Sequence, residues 1–121
     1  MAKRQGGDDE SEAQPKTLVF LHGEIKTPPF SLEARKEAGF LLRLLQMGRP
    51  LGMPKAEPLP IVGPRCGALR VRDDQHNWRI MFRVDAAVVL VVDVYDKKTK
   101  QIPNTVIVRC QKRLNKYDKE K

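Results

Sequence analysis

The chain has 121 residues, enough to bury one core but not two, and a formal net charge of +8. No run approaches the roughly 18 apolar residues of a membrane span, and residues 1–16 lack the apolar centre of a signal peptide, so a soluble cytoplasmic protein is expected. Cys66 and Cys110 are the only cysteines and have no CxxC spacing, which argues against a disulfide framework or a zinc site.

Residues 1–16 set Lys3, Arg4 and Lys16 against Asp8, Asp9, Glu10 and Glu12, a balance of −1 that leaves +9 on residues 17–121. With Gly6-Gly7, clustered acids and no apolar period, this stretch reads as a disordered tail ahead of a single domain over 17–121. An excess of +9 favours an acidic partner, nucleic acid being the commonest. An anionic membrane ranks lower, because no helix joins a Lys/Arg face to a broad aromatic one.

"KTLVFLHG" at 16–23 predicts a first strand, which Pro28-Pro29 ends by withholding two amide donors. Ser31 is a good helix N-cap and Glu33 suits the first turn. Ala34, Ala38, Leu41, Leu42 and Leu45 then recur at helical spacing until Gly48 offers a C-cap. Residues 49–65 hold five prolines and two glycines, a travelling loop with room for a short turn of helix over 51–57. "CGALRVRD", "NWRIMFRVD" and "VVLVVDVYDK" predict an antiparallel meander. A last helix after Pro103 puts Val106, Ile107, Cys110, Leu114 and Tyr117 on one face and Arg109, Lys112, Arg113 and Lys116 elsewhere, a basic outside.

Alternation along the strands sorts these side chains by face. Leu69, Val71, Trp78, Ile80, Phe82, Val84, Val88, Leu90, Val92 and Val94 fall on one parity, read as the core side. The other parity collects Arg70, Arg72, Arg79 and Arg83 with Asp93, Tyr95 and Lys97. One strand arginine is as readily a solvated face as a ligand. Four on adjacent strands repel one another unless an anion joins them, and Asp93 can pair with only one or two, so phosphate is the expected ligand.

Tyr95 can exchange a proton or stack on a base. Crowding among Lys97, Lys98 and Lys100 favours loss of a proton from one of them, which suits a general base or acid. Exposed lysines that merely grip phosphates are the blander reading. His76 lies in the "DDQHNW" turn, where a hydrogen-bonding or exposed role is the default. There is no HExxH, P-loop or GxSxG and no spaced set of metal ligands, so metal-driven hydrolysis is disfavoured and no cofactor is expected.

"KTPPFS", "EARKEAGFLLRLLQMG", "MP", "GPRC", "LRV", "WRIMFRVD", "KKT" and the proline opening the last helix follow in an order that resembles the phage-derived Gp49-like, HigB-like toxins of the RelE/ParE superfamily. The resemblance covers roughly residues 17–117. It implies a compact α+β, RelE-like domain: an antiparallel sheet made of a strand, a helix and a three-strand meander, with helices on one face and a C-terminal helix. It also implies an mRNA endonuclease that works at the ribosome without metal, held inactive by a helix-turn-helix, HigA-like antitoxin. Carried over by position, the family's "ELR" arginine is Arg70, its "YR" or "WR" arginine is Arg79, its aromatic before the lysine pair is Tyr95, and its "KKT" is Lys97, Lys98 and Thr99. Its frequent "HELR" is "GALR" here, with Gly67 and Ala68 replacing a histidine and a carboxylate. Its threonine before the helix proline is Ile102, with Asn104 expected to cap instead.

The expected activity is RNA cleavage by attack of a ribose 2′-OH on phosphorus, inhibiting translation. Lys97 or Lys98 would act as base, Arg70 and Arg79 as charge stabilisers, and Tyr95 as acid or stacking group. Arg72, Arg83, Thr99 and Lys100 would bind flanking RNA. Two other readings stand beside it: a ParE-like inhibitor of DNA gyrase, and a weakened relative that only binds nucleic acid.

Overall fold

A computed structural model describes residues 14–21 and 29–121. Residues 1–13 of the expected tail, and 22–28 with His22 and the end of the expected first strand, lie outside the described residues. In chain order the elements are β1 (Thr17–Phe20), α1 (Leu32–Gln46), β2 (Ala56–Pro58), β3 (Cys66–Asp73), β4 (His76–Val84), β5 (Val88–Asp96) and α2 (Asn104–Glu120). The strands form one sheet in the order β1-β5-β4-β3-β2. The meander β3-β4-β5 is antiparallel as expected, whereas β1 runs parallel to β5.

Local signals account for α1. The Ser31 hydroxyl accepts the Ala34 amide at 3.1 Å, satisfying one of the helix's orphan donors. At the other end Gly48 has φ +73, and the Gly48 and Arg49 amides donate to Leu45 and Leu44 at 3.0 and 2.9 Å. That pair of bonds is a Schellman closure, which needs the left-handed backbone that glycine adopts freely. The last helix starts differently from expectation. Pro103 occupies its N-cap with no side-chain bond, and Asn104 is already helical.

Both faces of the sheet are covered, one by each helix. Ala34, Ala38, Leu41 and Leu45 of α1 pack on Leu69, Val71, Trp78, Ile80, Phe82, Val89 and Val91. Val106, Cys110 and Leu114 of α2 pack on Cys66, Ala68, Met81, Leu90 and Val92. The α+β class stands, but the helices do not share a face, because the meander carries apolar side chains on both.

A bulge explains why parity misassigned part of β5. Met81 pairs with Asp93 while Phe82 pairs with Val91, so Val92 has no partner opposite. One extra residue reverses the faces of everything before it. Val94 therefore faces α1 as expected, but Leu90 and Val92 lie in the α2 core with Val88 packed against it. The proposed helical turn over 51–57 is also replaced. Ala56–Pro58 pairs with β3 as an edge strand, the one place in a sheet where Pro58 costs no ladder bond.

Gly67 is a second constraint. An added Cβ would lie 2.7 Å from the Phe82 ring and 2.8 Å from the Glu57 carbonyl oxygen of β2. Since the second clash is with backbone, Gly67→Ala must displace β2. It should lower unfolding free energy by about 1–3 kcal/mol, read as a lower urea midpoint at unchanged slope. An unchanged midpoint would show that β2 yields without cost.

Candidate functional site

The register of the meander sets Arg70 opposite Arg79, and Arg79 opposite Tyr95, in one line across three strands. This line lies on the α2 side of the sheet, next to the Ala68–Met81 pair that α2 covers. In the next line outward Arg72 is opposite Asn77, whose carbonyl accepts the Lys97 amide at 2.8 Å. The β5 hydrogen bonding thus continues past Asp96, and alternation puts Lys97 on the side of Tyr95.

Arg79 is only 8% exposed. One Nη donates to the Trp78 carbonyl at 3.3 Å, while Nε is buried without a partner. Burial, and then the Arg70 guanidinium beside it, draw its pKa below the ordinary arginine value. The Tyr95 hydroxyl is likewise buried and unpartnered, its ring packed against the α2 core. Burial pushes this phenol up, with Arg79 partly offsetting it. Arg70 is half-buried and reaches only the Met53 sulfur, at 4.0 Å. Among the described residues no carboxylate lies within ion-pairing distance of Arg70, Arg72, Arg79, Lys97 or Lys100. Unspent buried donors of this kind are costly without an acceptor. With its pKa raised, the Tyr95 phenol stays protonated and keeps a hydrogen to donate.

The other expected site residues separate from this line. Arg83 stands four residues along β4, roughly 13 Å away, with its guanidinium gripped by two carboxylates. Asp85 accepts from Nε and Nη2, both at 2.9 Å, and Asp118 from Nη1 and Nη2 at 3.0 and 2.7 Å. These bonds raise the Arg83 pKa and tie the β4–β5 turn to α2. Lys98 pairs with Asp96 at 3.0 Å. Thr99 donates to the Gln101 carbonyl at 2.6 Å in an exposed turn, and Lys100 is exposed. Asp93 pairs with none of the sheet arginines. It holds Arg109 at 2.6 Å and Arg113 at 3.0 Å, so two residues expected on the basic outside of α2 instead fasten it to β5.

A pairing that the sequence did not reveal lies at the same end of the sheet. His76 Nδ1 is 2.6 Å from Asp96 Oδ2, and the Asn77 amide donates to Oδ1 at 2.9 Å. The His76 bond first, then Asn77 and Lys98, hold this carboxyl well below the usual range. Only the strand register, in which Trp78 is opposite Asp96, brings the two together. Among the described residues no three His, Cys, Asp or Glu side chains gather to hold a metal ion, and no helix is long and apolar enough to cross a membrane.

A family model described as Phage derived protein Gp49-like (DUF891) matches residues 29–115. No curated protein and no solved structure matches the chain.

Four carboxylates govern the acid limit of stability. Asp96 and Asp118 are lowered chiefly by bonds to His76 and Arg83, and Asp73 by the Ser31 amide. In Asp85 burial acts to raise the pKa, but the Arg83 bonds prevail and it too is lowered. Depressed carboxyls bind fewer protons folded than unfolded, so their stabilisation is complete above the unfolded value of about 4 and lost as pH falls through the folded values. The urea midpoint should therefore fall steadily from pH 5 to pH 2. In Arg83→Gln it should start lower and fall less steeply, since two carboxylates lose their partner, whereas equal slopes would contradict the assignment.

Proposed function

The chain belongs to the Gp49-like family of phage-derived proteins, a family of RelE/HigB-like toxins of toxin–antitoxin systems, and from that premise we propose that it is a metal-independent endoribonuclease that cuts mRNA at the ribosome. The observation that carries this reading is the line Arg70–Arg79–Tyr95 with Lys97 beside it, a group of cations and a phenol with no carboxylate paired to the cations among the described residues. A binding toxin has no need for an acid and a base converging on an anion site. The +9 carried by residues 17–121 draws RNA to that face.

In the proposed reaction Lys97 takes the proton of a ribose 2′-OH, and that oxygen bonds to the adjacent phosphorus. Arg70 meets the phosphate, with Arg79 behind it adding positive potential as charge develops on the phosphorane. The bond from phosphorus to the 5′ oxygen breaks, and the Tyr95 phenol protonates the leaving oxygen. The products are a 2′,3′-cyclic phosphate and a 5′-OH. Packing of its ring against α2 argues against stacking by Tyr95, and to act as the acid its buried hydroxyl must be uncovered when RNA binds. Arg72 and Lys100, which have no carboxylate partner among the described residues, would hold flanking phosphates. Arg83 is left out of the site because its donors are spent. A helix-turn-helix antitoxin would hold the toxin inactive in the cytoplasm.

Primer extension on a defined mRNA in a purified translation system tests the reading. Discrete cuts in the translated region should persist in EDTA-treated enzyme. They should slow about 10²–10³-fold in Arg70→Ala and by a similar or greater factor in Tyr95→Phe and Lys97→Ala. Because the phenol is raised, the rate should fall on the alkaline side only above the ordinary tyrosine value of about 10. An intact message with DNA gyrase inhibited would replace the proposal with a binding toxin. Undiminished cleavage in both Arg70→Ala and Tyr95→Phe would remove the site.

A further inference from the structure

The cleavage chemistry leaves one ordered group unused at the same end of the sheet. Three rings follow one another on the α1 side: Phe30 tilts against Trp78 with centroids 5.0 Å apart, and His76 stacks on Trp78 at 5.1 Å and 23°. Trp78 is buried, but the His76 side chain is 43% exposed. The indole backs one face of the imidazole and Asp96 fixes its Nδ1 edge. Asp96 would keep two partners without His76, since the Asn77 amide and Lys98 also bond to it. The pairing also fixes the ring's orientation.

Position supplies the second half of the case. The Trp78–Asp96 pair is one residue from the Arg79–Tyr95 pair, on the opposite side of the sheet. Between them β5 runs out at Lys97, and Lys98, 71% exposed, stands beside the imidazole on the same carboxylate. A single strand with a phosphate at Arg70 can turn over this lip and bring a neighbouring base to the ring. Exposed, immobilised rings with an adjacent cation are the usual platform for unpaired bases, and stacking of this kind tolerates any base.

We propose that His76, backed by Trp78 and fixed by Asp96, is a stacking shelf for a nucleobase flanking the cleaved linkage, with Lys98 taking the phosphate of that nucleotide. This rests on the RNA reading above and adds a subsite on the other face of the sheet. The probe is a set of 2′-O-methyl hexanucleotides, which lack the attacking hydroxyl, each carrying 2-aminopurine at one position.

At one position the wild type should quench the 2-aminopurine on binding. His76→Ala should relieve the quenching and weaken affinity on the order of tenfold, while His76→Phe should retain both. An abasic residue at that position should make wild type and His76→Ala bind equally. If His76→Ala quenches and binds like the wild type, the shelf is overturned and the RNA reading stands. Equal loss in His76→Ala and His76→Phe would also overturn it, assigning the effect to the hydrogen bond. Failure of the wild type to bind any hexanucleotide at low salt would overturn the RNA reading and the shelf together.

Discussion

The bulge at Val92 is the constraint on which the rest of the fold depends. Before it, β5 sends Val89 and Val91 toward α1 and Leu90 toward α2. After it, the alternation is reversed, so Asp93 and Tyr95 join Leu90 and Val92 on the α2 side. An unbulged strand that aligned Tyr95 with Arg79 would put Leu90 and Val92 on the same face as Val94, toward α1. The extra residue lets one strand do both: bury valines beneath each helix along its first half and deliver polar groups to one face at its end. Asp93 sits where the reversal occurs, and there it fastens α2 through Arg109 and Arg113.

The arginines divide into two populations by what stands near them. Arg83, Arg109 and Arg113 each bond to at least one carboxylate, and Arg83 and Asp93 are buried at the junction of sheet and helix. Breaking such pairs typically costs several kcal/mol because a buried charge is left uncompensated. Arg70 and Arg79 face each other across a strand pair with no such compensation among the described residues. Like charges directly opposite destabilise a sheet, and burial sharpens the cost for Arg79. The fold secures Arg83, Arg109 and Arg113 with carboxylates, whereas among the described residues Arg70 and Arg79 stand opposite each other without one, an arrangement that a bound anion would relieve.

Sequence reasoning succeeded at the ends of α1, where the signal was local, although the equally local expectation of an Asn104 cap on α2 failed. Ser31 and Gly48 bracket α1 because capping depends on a few neighbouring residues. Strand parity brought Arg70, Arg79 and Tyr95 to one face because the extra residue lies before Tyr95 and leaves the paired ends intact. It failed where the deciding contact was remote. No glycine or proline marks the bulge in the Val88–Val94 run, and nothing near Asp93 announces that its partners lie 16 and 20 residues on, in α2. Arg83 looked like Arg79 in sequence, and the grip of Asp85 together with Asp118 from the last helix distinguishes them. The edge strand at Ala56–Pro58 was hidden among prolines that an edge tolerates.

The departure at Gly67-Ala68 takes on a physical meaning in this setting. Members with "HELR" carry a histidine and a carboxylate just before the Arg70 position. Here Ala68 is buried in the α2 core opposite Met81, and Gly67 has no space for even a methyl group beside Phe82 and the Glu57 carbonyl. The two groups are not only missing; their places are filled by packing. A carboxylate at residue 68 would also sit one line from Arg70 and Arg79, where it would neutralise part of their charge. In the proposed reaction any proton transfer would therefore have to come from β5, through Tyr95 and Lys97, while β3 would contribute charge through Arg70 alone.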